Sequence, residues 1–282
     1  MSELLPNHVD VSGARIRWGR RGGPGHDLIL LHGNGANHTW WNSVARYLEH
    51  DWSLILLDLS GHGDSDHRLE YHPTHWVDEV RAVARAADAH NPVVVGHSMG
   101  GRVALTLGAN YPDGLSGLVV MDSSVRSPDR YRPPPSVNRV RKYYESREAA
   151  LSRFRLLPVQ PHPSATLIDE LAAHAISETP QGWTWKYDPH SLWRFDDADI
   201  DRAAKSLAIP LGYVYGRHSS VVDAEIVEYI RSAAGACVET VAVEDAYHHL
   251  ILDQPEQCAH LIDRFAHSFT GASTSDAPAE AI

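Results

Sequence analysis

The chemistry most legible in this sequence sits at Gly96-His97-Ser98-Met99-Gly100-Gly101, directly behind the aliphatic run Val93–Val95. A G-x-S-x-G match alone is weak, since chance supplies one in roughly one chain of this length in ten. Its setting adds to it. A strand entering a helix through so short a turn forces the middle residue into strained backbone geometry, and the flanking glycines remove side chains that would clash there. Such a turn holds the Ser98 hydroxyl out at the carboxyl end of the sheet, beside a helix N-terminus that favours developing negative charge. A serine hydroxyl is a poor nucleophile at neutral pH, so Ser98 needs a base and a group that orients the base. With nineteen histidines in the chain, composition alone does not select that base.

The elements that must position Ser98 follow from hydrophobic patterning. Leu28–Leu31, Leu54–Leu57, Val93–Val95 and Leu118–Met121 are apolar at every residue, as strands buried on both faces of a parallel sheet are. Helical spacing lies between them: Trp41, Val44, Ala45 and Leu48 share one face, as do Val77, Val80, Ala84 and Ala87. A further helix is expected from Met99 to Ala109, ended by Asn110-Tyr111-Pro112. The alternation predicts an open parallel α/β sheet. From Val125 to about Ser206 it breaks: prolines (Pro133, Pro158, Pro161) and aromatics (Trp183, Trp185, Tyr187, Trp193, Phe195) accumulate. Amphipathic segments at Arg139–Phe154 and Thr166–Ile176 read as a mostly helical insertion, with Arg139, Arg141 and Lys142 on its wet face. The alternation returns with a strand at Pro210–Tyr215, a helix at Ala224–Ala234, a strand at Val238–Val243 and a helix at Pro255–Phe269. The expected organisation is a core in two parts, 1–124 and 206–270, a cap over 125–205, and a disordered tail over 271–282.

Composition bounds the partners. The chain has 282 residues, 43% hydrophobic and 22% charged, as ordinary globular proteins do. Its formal charge of −11 argues against nucleic acid or an anionic membrane surface as partner. Cys237 and Cys258 form no CxxC pair. Met1–Gly13 lacks a basic start and an apolar stretch, so a cytoplasmic location is expected.

The elbow at Ser98 resembles that of the α/β-hydrolase superfamily. The resemblance runs from Gly13 to about Phe269. It also rests on His32-Gly33-Asn34-Gly35, on Asp58-Leu59-Ser60-Gly61-His62-Gly63-Asp64-Ser65, and on Tyr247-His248-His249-Leu250 followed by Leu252-Asp253-Gln254-Pro255. It implies an α/β-hydrolase fold: a mostly parallel central sheet, helices on both faces, and a helical cap inserted after strand six. In that family the order is serine, acid, histidine. His248, after the last strand, matches the motif for the base, with His249 its rival. The acid commonly follows the strand that corresponds to Pro210–Tyr215, in a G-x-x-D pattern, but here Gly216-Arg217-His218-Ser219 places a serine there. Some members take the acid from the end of the sixth strand instead, where Asp122 stands. Asp122 is therefore the expected acid and Asp223 the alternative, although Asp223 also reads as a helix N-cap. Ser219 or Ser220 is expected to assist the histidine. The N–H groups of Met99 and Asn34, with Gly35 as a substitute for the latter, are the expected oxyanion donors.

Two other motifs are set aside. Gly33-Asn34-Gly35 lacks the third glycine of a dinucleotide loop, His38 standing in its place. His62-Gly63-Asp64-Ser65-Asp66-His67 has aspartate where a dinuclear metal motif needs histidine. The expectation is a serine hydrolase of carboxylic esters, without metal or organic cofactor, acting through an acyl-enzyme. The cap aromatics hint at a small apolar or aromatic substrate. Thioesterase, lactonase or carbon–carbon bond hydrolase activity, or a non-hydrolytic acyltransferase, lyase or cyclase, are the alternatives for the same residues.

Overall fold

The computed structural model describes residues 5–133, 139–161, 164–192 and 194–271. Trp193 and residues 272–282, nearly all of the expected tail, lie outside them. A hairpin opens the chain: β1 (Asn7–Val11) and β2 (Ala14–Gly22) pair antiparallel across Ser12-Gly13, both of which have positive φ. Next come β3 (Asp27–Leu31), α1 (Asn42–Leu48), β4 (Ser53–Leu57), α2 (Pro73–Ala86), β5 (Val93–His97), α3 (Met99–Asn110) and β6 (Gly117–Met121). Every residue of β3, β4, β5 and β6 is buried, as their unbroken apolar character requires.

The segment after β6 holds β7 (Tyr143–Tyr144), α4 (Arg147–Leu151), α5 (Ala165–His174), β8 (Ile176–Thr179), β9 (Gly182–Trp185) and α6 (Asp197–Lys205). Strands β7, β9 and β8 form a separate three-stranded antiparallel sheet, which the mostly helical expectation does not contain. The span 139–154 is not one helix. Residues 139–142 are basic and irregular, the aromatic pair Tyr143–Tyr144 forms β7, and a helix begins only where the Ser146 side chain accepts the Ala149 N–H. The core resumes with β10 (Leu211–Gly216), α7 (Ala224–Ala234), β11 (Val238–Val243), α8 (Leu250–Asp253) and α9 (Pro255–Thr270).

The main sheet has eight strands in the order β1-β2-β4-β3-β5-β6-β10-β11. It is parallel from β4 to β11, with β1 and β2 antiparallel at one edge. Alternate side chains feed two cores. Ile29, Leu31, Val94, Leu118 and Val120 pack in one, with residues of α2, α3, α6 and α7. Leu28, Leu30, Val93, Val95, Val119 and Met121 pack in the other, with α1, α8 and α9. Because β5, β6, β10 and β11 run in one direction, the loops that leave them all emerge at the same end of the sheet. No described helix is long and apolar enough to cross a membrane.

Candidate active site

Ser98 stands between β5 and α3 with φ +55° and ψ −115°, a backbone state that L-residues rarely adopt. Glycine makes that turn fit. A β-carbon on Gly96 would collide with the Gly100 carbonyl, and one on Gly100 with the Leu31 carbonyl. A β-carbon on Gly33 would approach the Ser98 β-carbon to 3.3 Å. The Ser98 N–H donates to the Met121 carbonyl at 2.9 Å, and the Ser123 hydroxyl donates to the Ser98 carbonyl at 2.6 Å, tying the elbow to the end of β6.

Three side chains meet at this edge. His248 Nε2 lies 3.1 Å from Ser98 Oγ, and His248 Nδ1 lies 2.8 Å from Asp122 Oδ1. A carboxylate only accepts, so Nδ1 carries the proton and Nε2 is left to take the one on Ser98. Asp122 follows β6 with φ +48° and is fully buried. Its carboxylate also accepts the Gly216 N–H at 2.8 Å and the Ser219 hydroxyl at 2.6 Å. The loop after β10 therefore does reach the site, but Ser219 bonds the acid, not the histidine it was expected to assist. Ser220 lines the adjoining cavity and makes no hydrogen bond with His248.

The alternatives fall elsewhere. Asp223 caps α7 by accepting the Ile226 N–H at 3.0 Å and pairs with Arg130 at 2.6 Å. Arg130 first of all, against the opposing effect of burial, holds its carboxyl down at about 2. His249 packs its ring 5.2 Å from Trp40 and 4.8 Å from His248, and no hydrogen bond links it to Ser98 or Asp122. Burial, then His248, pushes its pKa down to about 2, so its ring stays neutral.

Buried groups fix the loops on which these residues ride. His97 Nε2 donates to the His248 carbonyl at 2.9 Å, and burial followed by His248 lowers the His97 pKa to about 3. Gln160, from the segment between β6 and β10, donates to both Asp253 oxygens at 3.0 Å and accepts the His249 N–H at 3.0 Å. Asp253 accepts the Tyr247 N–H at 2.9 Å, so Gln160 and Asp253 clamp both sides of His248. Sequence reasoning missed Gln160, whose partners lie about ninety positions away. His32 donates from Nδ1 to the Gly33 carbonyl at 2.8 Å and accepts the Leu59 N–H at 3.1 Å, which pins the loop that carries Asn34.

The Asp58–Ser65 loop is structural. Asp58 is fully buried and accepts the His38 N–H at 2.8 Å, His38 Nδ1 at 2.9 Å and the Asp64 N–H at 2.8 Å. Burial raises its pKa, but His38, His32 and the Asp64 N–H outweigh that and hold it at about 2. Gly63 leaves room for this carboxylate, which a β-carbon there would strike. One group of three histidines, His97, His248 and His249, has ring nitrogens within 4.8 Å of one another. Both His248 nitrogens are already engaged by Asp122 and Ser98, so the group lacks a full set of free metal donors.

A cavity of about 340 Å³ opens beside Ser98, lined among others by Asn34, Met99, Phe195 and Val221. Both expected oxyanion donors thus belong to residues of its wall. Of the aromatics between Trp183 and Phe195 that are described, only Phe195 faces it. Trp185 packs on Tyr144, Phe154 and Tyr187 within the segment between β6 and β10. Arg139 and Arg141 do not form a wet helix face: Arg139 donates to the Pro189 carbonyl, and Arg141 to His67. The arginines of the cavity wall, Arg102, Arg126, Arg132 and Arg194, were not anticipated.

Comparison with known proteins agrees with the fold. The Alpha/beta hydrolase family matches over residues 28–261. A pimeloyl-[acyl-carrier protein] methyl ester esterase of Vibrio vulnificus is 27% identical over 86% of this chain and 95% of its own. The enzyme of the same name from Aeromonas salmonicida is 28% identical over 87% and 97%. Among solved structures, an esterase from Mycobacterium tuberculosis superposes with TM-score 0.72 at 25% identity, over 92% of this chain and 89% of that one. The thioesterase domain of the curacin biosynthetic pathway, 19% identical over 91% and 98%, superposes with TM-score 0.76 and shares the fold. The chain belongs to the alpha/beta hydrolase family, and it is a hydrolase.

Proposed function

We propose that this protein hydrolyses a carboxylic ester of a small molecule through an acyl-enzyme on Ser98. The observation that carries the reading is the unbroken relay from Ser98 Oγ through His248 to Asp122, at 3.1 Å and 2.8 Å. The esterase names of relatives aligned over most of the chain support the choice of ester bond. Ser98 Oγ attacks the carbonyl carbon as its proton passes to His248 Nε2. The carbonyl oxygen, now anionic, takes hydrogen bonds from the N–H groups of Met99 and Asn34, each worth roughly 3 kcal/mol. Collapse breaks the ester C–O bond, and the imidazolium gives its proton to the departing alkoxide. Water then attacks the acyl carbonyl with His248 again as base, releasing the acid and restoring Ser98. Asp122 keeps His248 in the tautomer that can accept at Nε2, and its charge stabilises the imidazolium.

The cavity volume suits a small acyl group. Ser98→Ala tests the assignment: hydrolysis of p-nitrophenyl esters falls at least about 10⁴-fold while the melting temperature holds. Turnover within tenfold of the parent protein means that Ser98 is not the nucleophile.

A further inference from the structure

The protein is acidic, with a formal charge of −11, yet the cavity beside Ser98 is not. Arg102, Arg126, Arg132 and Arg194 line it, against two carboxylates among the described residues, Asp122 and Asp197. Asp122 is engaged with His248. Asp197, on α6, takes Arg102 Nη2 at 2.8 Å, Arg126 Nη1 at 3.4 Å and the backbone N–H of Arg132 at 3.0 Å. One carboxylate thus answers two guanidinium groups.

Arg102 has a structural explanation. It is half-buried, its Nη2 also donates to Ser124 Oγ at 2.6 Å, and through Asp197 it fastens α3 to α6. The others are less fully held. Arg126 Nη1 donates to Ser124 Oγ at 3.0 Å and reaches Asp197 only at 3.4 Å, and its Nε is buried with no partner among the described residues. Arg194 donates Nε to the His190 carbonyl at 2.6 Å, but neither it nor the Arg132 side chain has a carboxylate within ion-pair distance among the described residues. Burial and then Arg139 lower the Arg194 pKa, as crowding among cations does. Buried donors without acceptors are uncommon in folded proteins, and a guanidinium fork matches the two oxygens of a carboxylate.

We propose that Arg126 and Arg194, aided by Arg132, form a subsite for a free carboxylate on the substrate, making the preferred substrate a half-ester of a short dicarboxylic acid. The proposal rests on the reading of Ser98 as nucleophile and names the substrate class for that site. Asp197 within the cluster favours a singly charged carboxylate over a doubly charged phosphate. The spacer is short, because one cavity of about 340 Å³ must hold both the ester beside Ser98 and the carboxylate at these arginines.

The test compares kcat/KM for monomethyl succinate, glutarate and adipate with the matching dimethyl diesters, following acid release in a pH-stat. An acyl glycerol phosphate is the third arm. The parent protein favours its best half-ester over the diester by at least about thirtyfold. Arg126→Gln lowers that ratio tenfold or more, and Arg126→Lys restores part of it. Arg194→Gln gives the same reading should Arg126→Gln fail to fold, which its melting curve reports. Equal or better turnover of the diesters, with Ser98 still labelled by a fluorophosphonate, overturns the subsite and leaves the serine mechanism standing. Preference for the phosphate ester overturns the carboxylate assignment. Failure of every ester together with an unreactive Ser98 overturns both readings.

Discussion

Replacing Asp122 by asparagine changes one atom and sets the protein a problem without a good solution. The native carboxylate faces three donors. Oδ1 takes His248 Nδ1 at 2.8 Å and Ser219 Oγ at 2.6 Å, and Oδ2 takes the Gly216 N–H at 2.8 Å. An amide must turn its NH₂ toward one side. Toward Gly216 it sets two N–H groups against each other in a buried site, at about 1–3 kcal/mol, and leaves the imidazolium without its counter-charge. Toward His248 it forces the ring to carry its proton on Nε2, where it can no longer accept from Ser98. Both arrangements disable the base. The expected loss is about 10⁴-fold in kcat, or about 5 kcal/mol of barrier at 1.36 kcal/mol per tenfold. The assay is p-nitrophenyl ester turnover, with thermal unfolding beside it to confirm a folded variant. Asp223→Asn is the control: asparagine also caps helices well, and turnover should stay within about twofold. A kcat for Asp122→Asn within tenfold of the parent, or a larger loss for Asp223→Asn, refutes the reasoning.

Other perturbations follow from the same contacts. Ser219→Ala removes a hydroxyl donor from a buried carboxylate while Gly216 remains, so kcat should drop about tenfold, in line with about 1.5 kcal/mol for a charge-assisted bond; an unchanged kcat contradicts this. Gln160→Ala unclamps the His248 loop, and should cost about 2–3 kcal/mol of stability in urea unfolding together with a fall in kcat. Stability should also depend on pH through buried neutral histidines. Burial first, then His32, lowers the His62 pKa to about 3, and His97 is likewise held near 3. As pH falls from about 6.5 toward 3, the unfolded chain binds protons that the fold excludes, so stability is full above about 6.5 and declines below it. The melting temperature should therefore fall through that window, and His62→Asn should flatten the slope; an equal slope in the variant rejects the role of His62.

The sequence revealed the parts of the fold whose burial is local. Strands β3 to β6 are apolar at every residue, so their place inside a two-sided sheet needs no tertiary knowledge. The hairpin of β1 and β2 went unmarked because it is half-exposed and arginine-rich, with Arg15, Arg17, Arg20 and Arg21 along β2. Between β6 and β10, strands of two to four residues are too short to show a period, which is how β7, β8 and β9 escaped. Helix α6 did carry signals: Asp196 as N-cap, acids in the first turn, Arg202 and Lys205 in the last. Its place inside a proline- and aromatic-rich stretch hid them.

At the site, Ser98, His248 and Asp122 were legible because each ends or follows a recognisable strand, and parallel strands deliver their ends to one edge. The elbow glycines mark themselves by what a β-carbon would strike. Ser219 was flagged for the wrong partner, since its loop position is set by sequence but the direction of its hydroxyl by the fold. The cavity arginines and Gln160 were not legible. A charged or amide side chain reads as solvated until its partner is known, and Arg102 meets Asp197 across 95 positions as Gln160 meets Asp253 across 93.

The central claim is that Ser98 becomes nucleophilic because His248 accepts its proton. Mass spectrometry of the protein after brief treatment with a fluorophosphonate tests it at the atom concerned. The account predicts one adduct, on the peptide containing Ser98, formed in the parent protein and in His249→Ala, and lost in His248→Ala although that variant remains folded. Labelling on another residue, or undiminished labelling of Ser98 in His248→Ala, contradicts it.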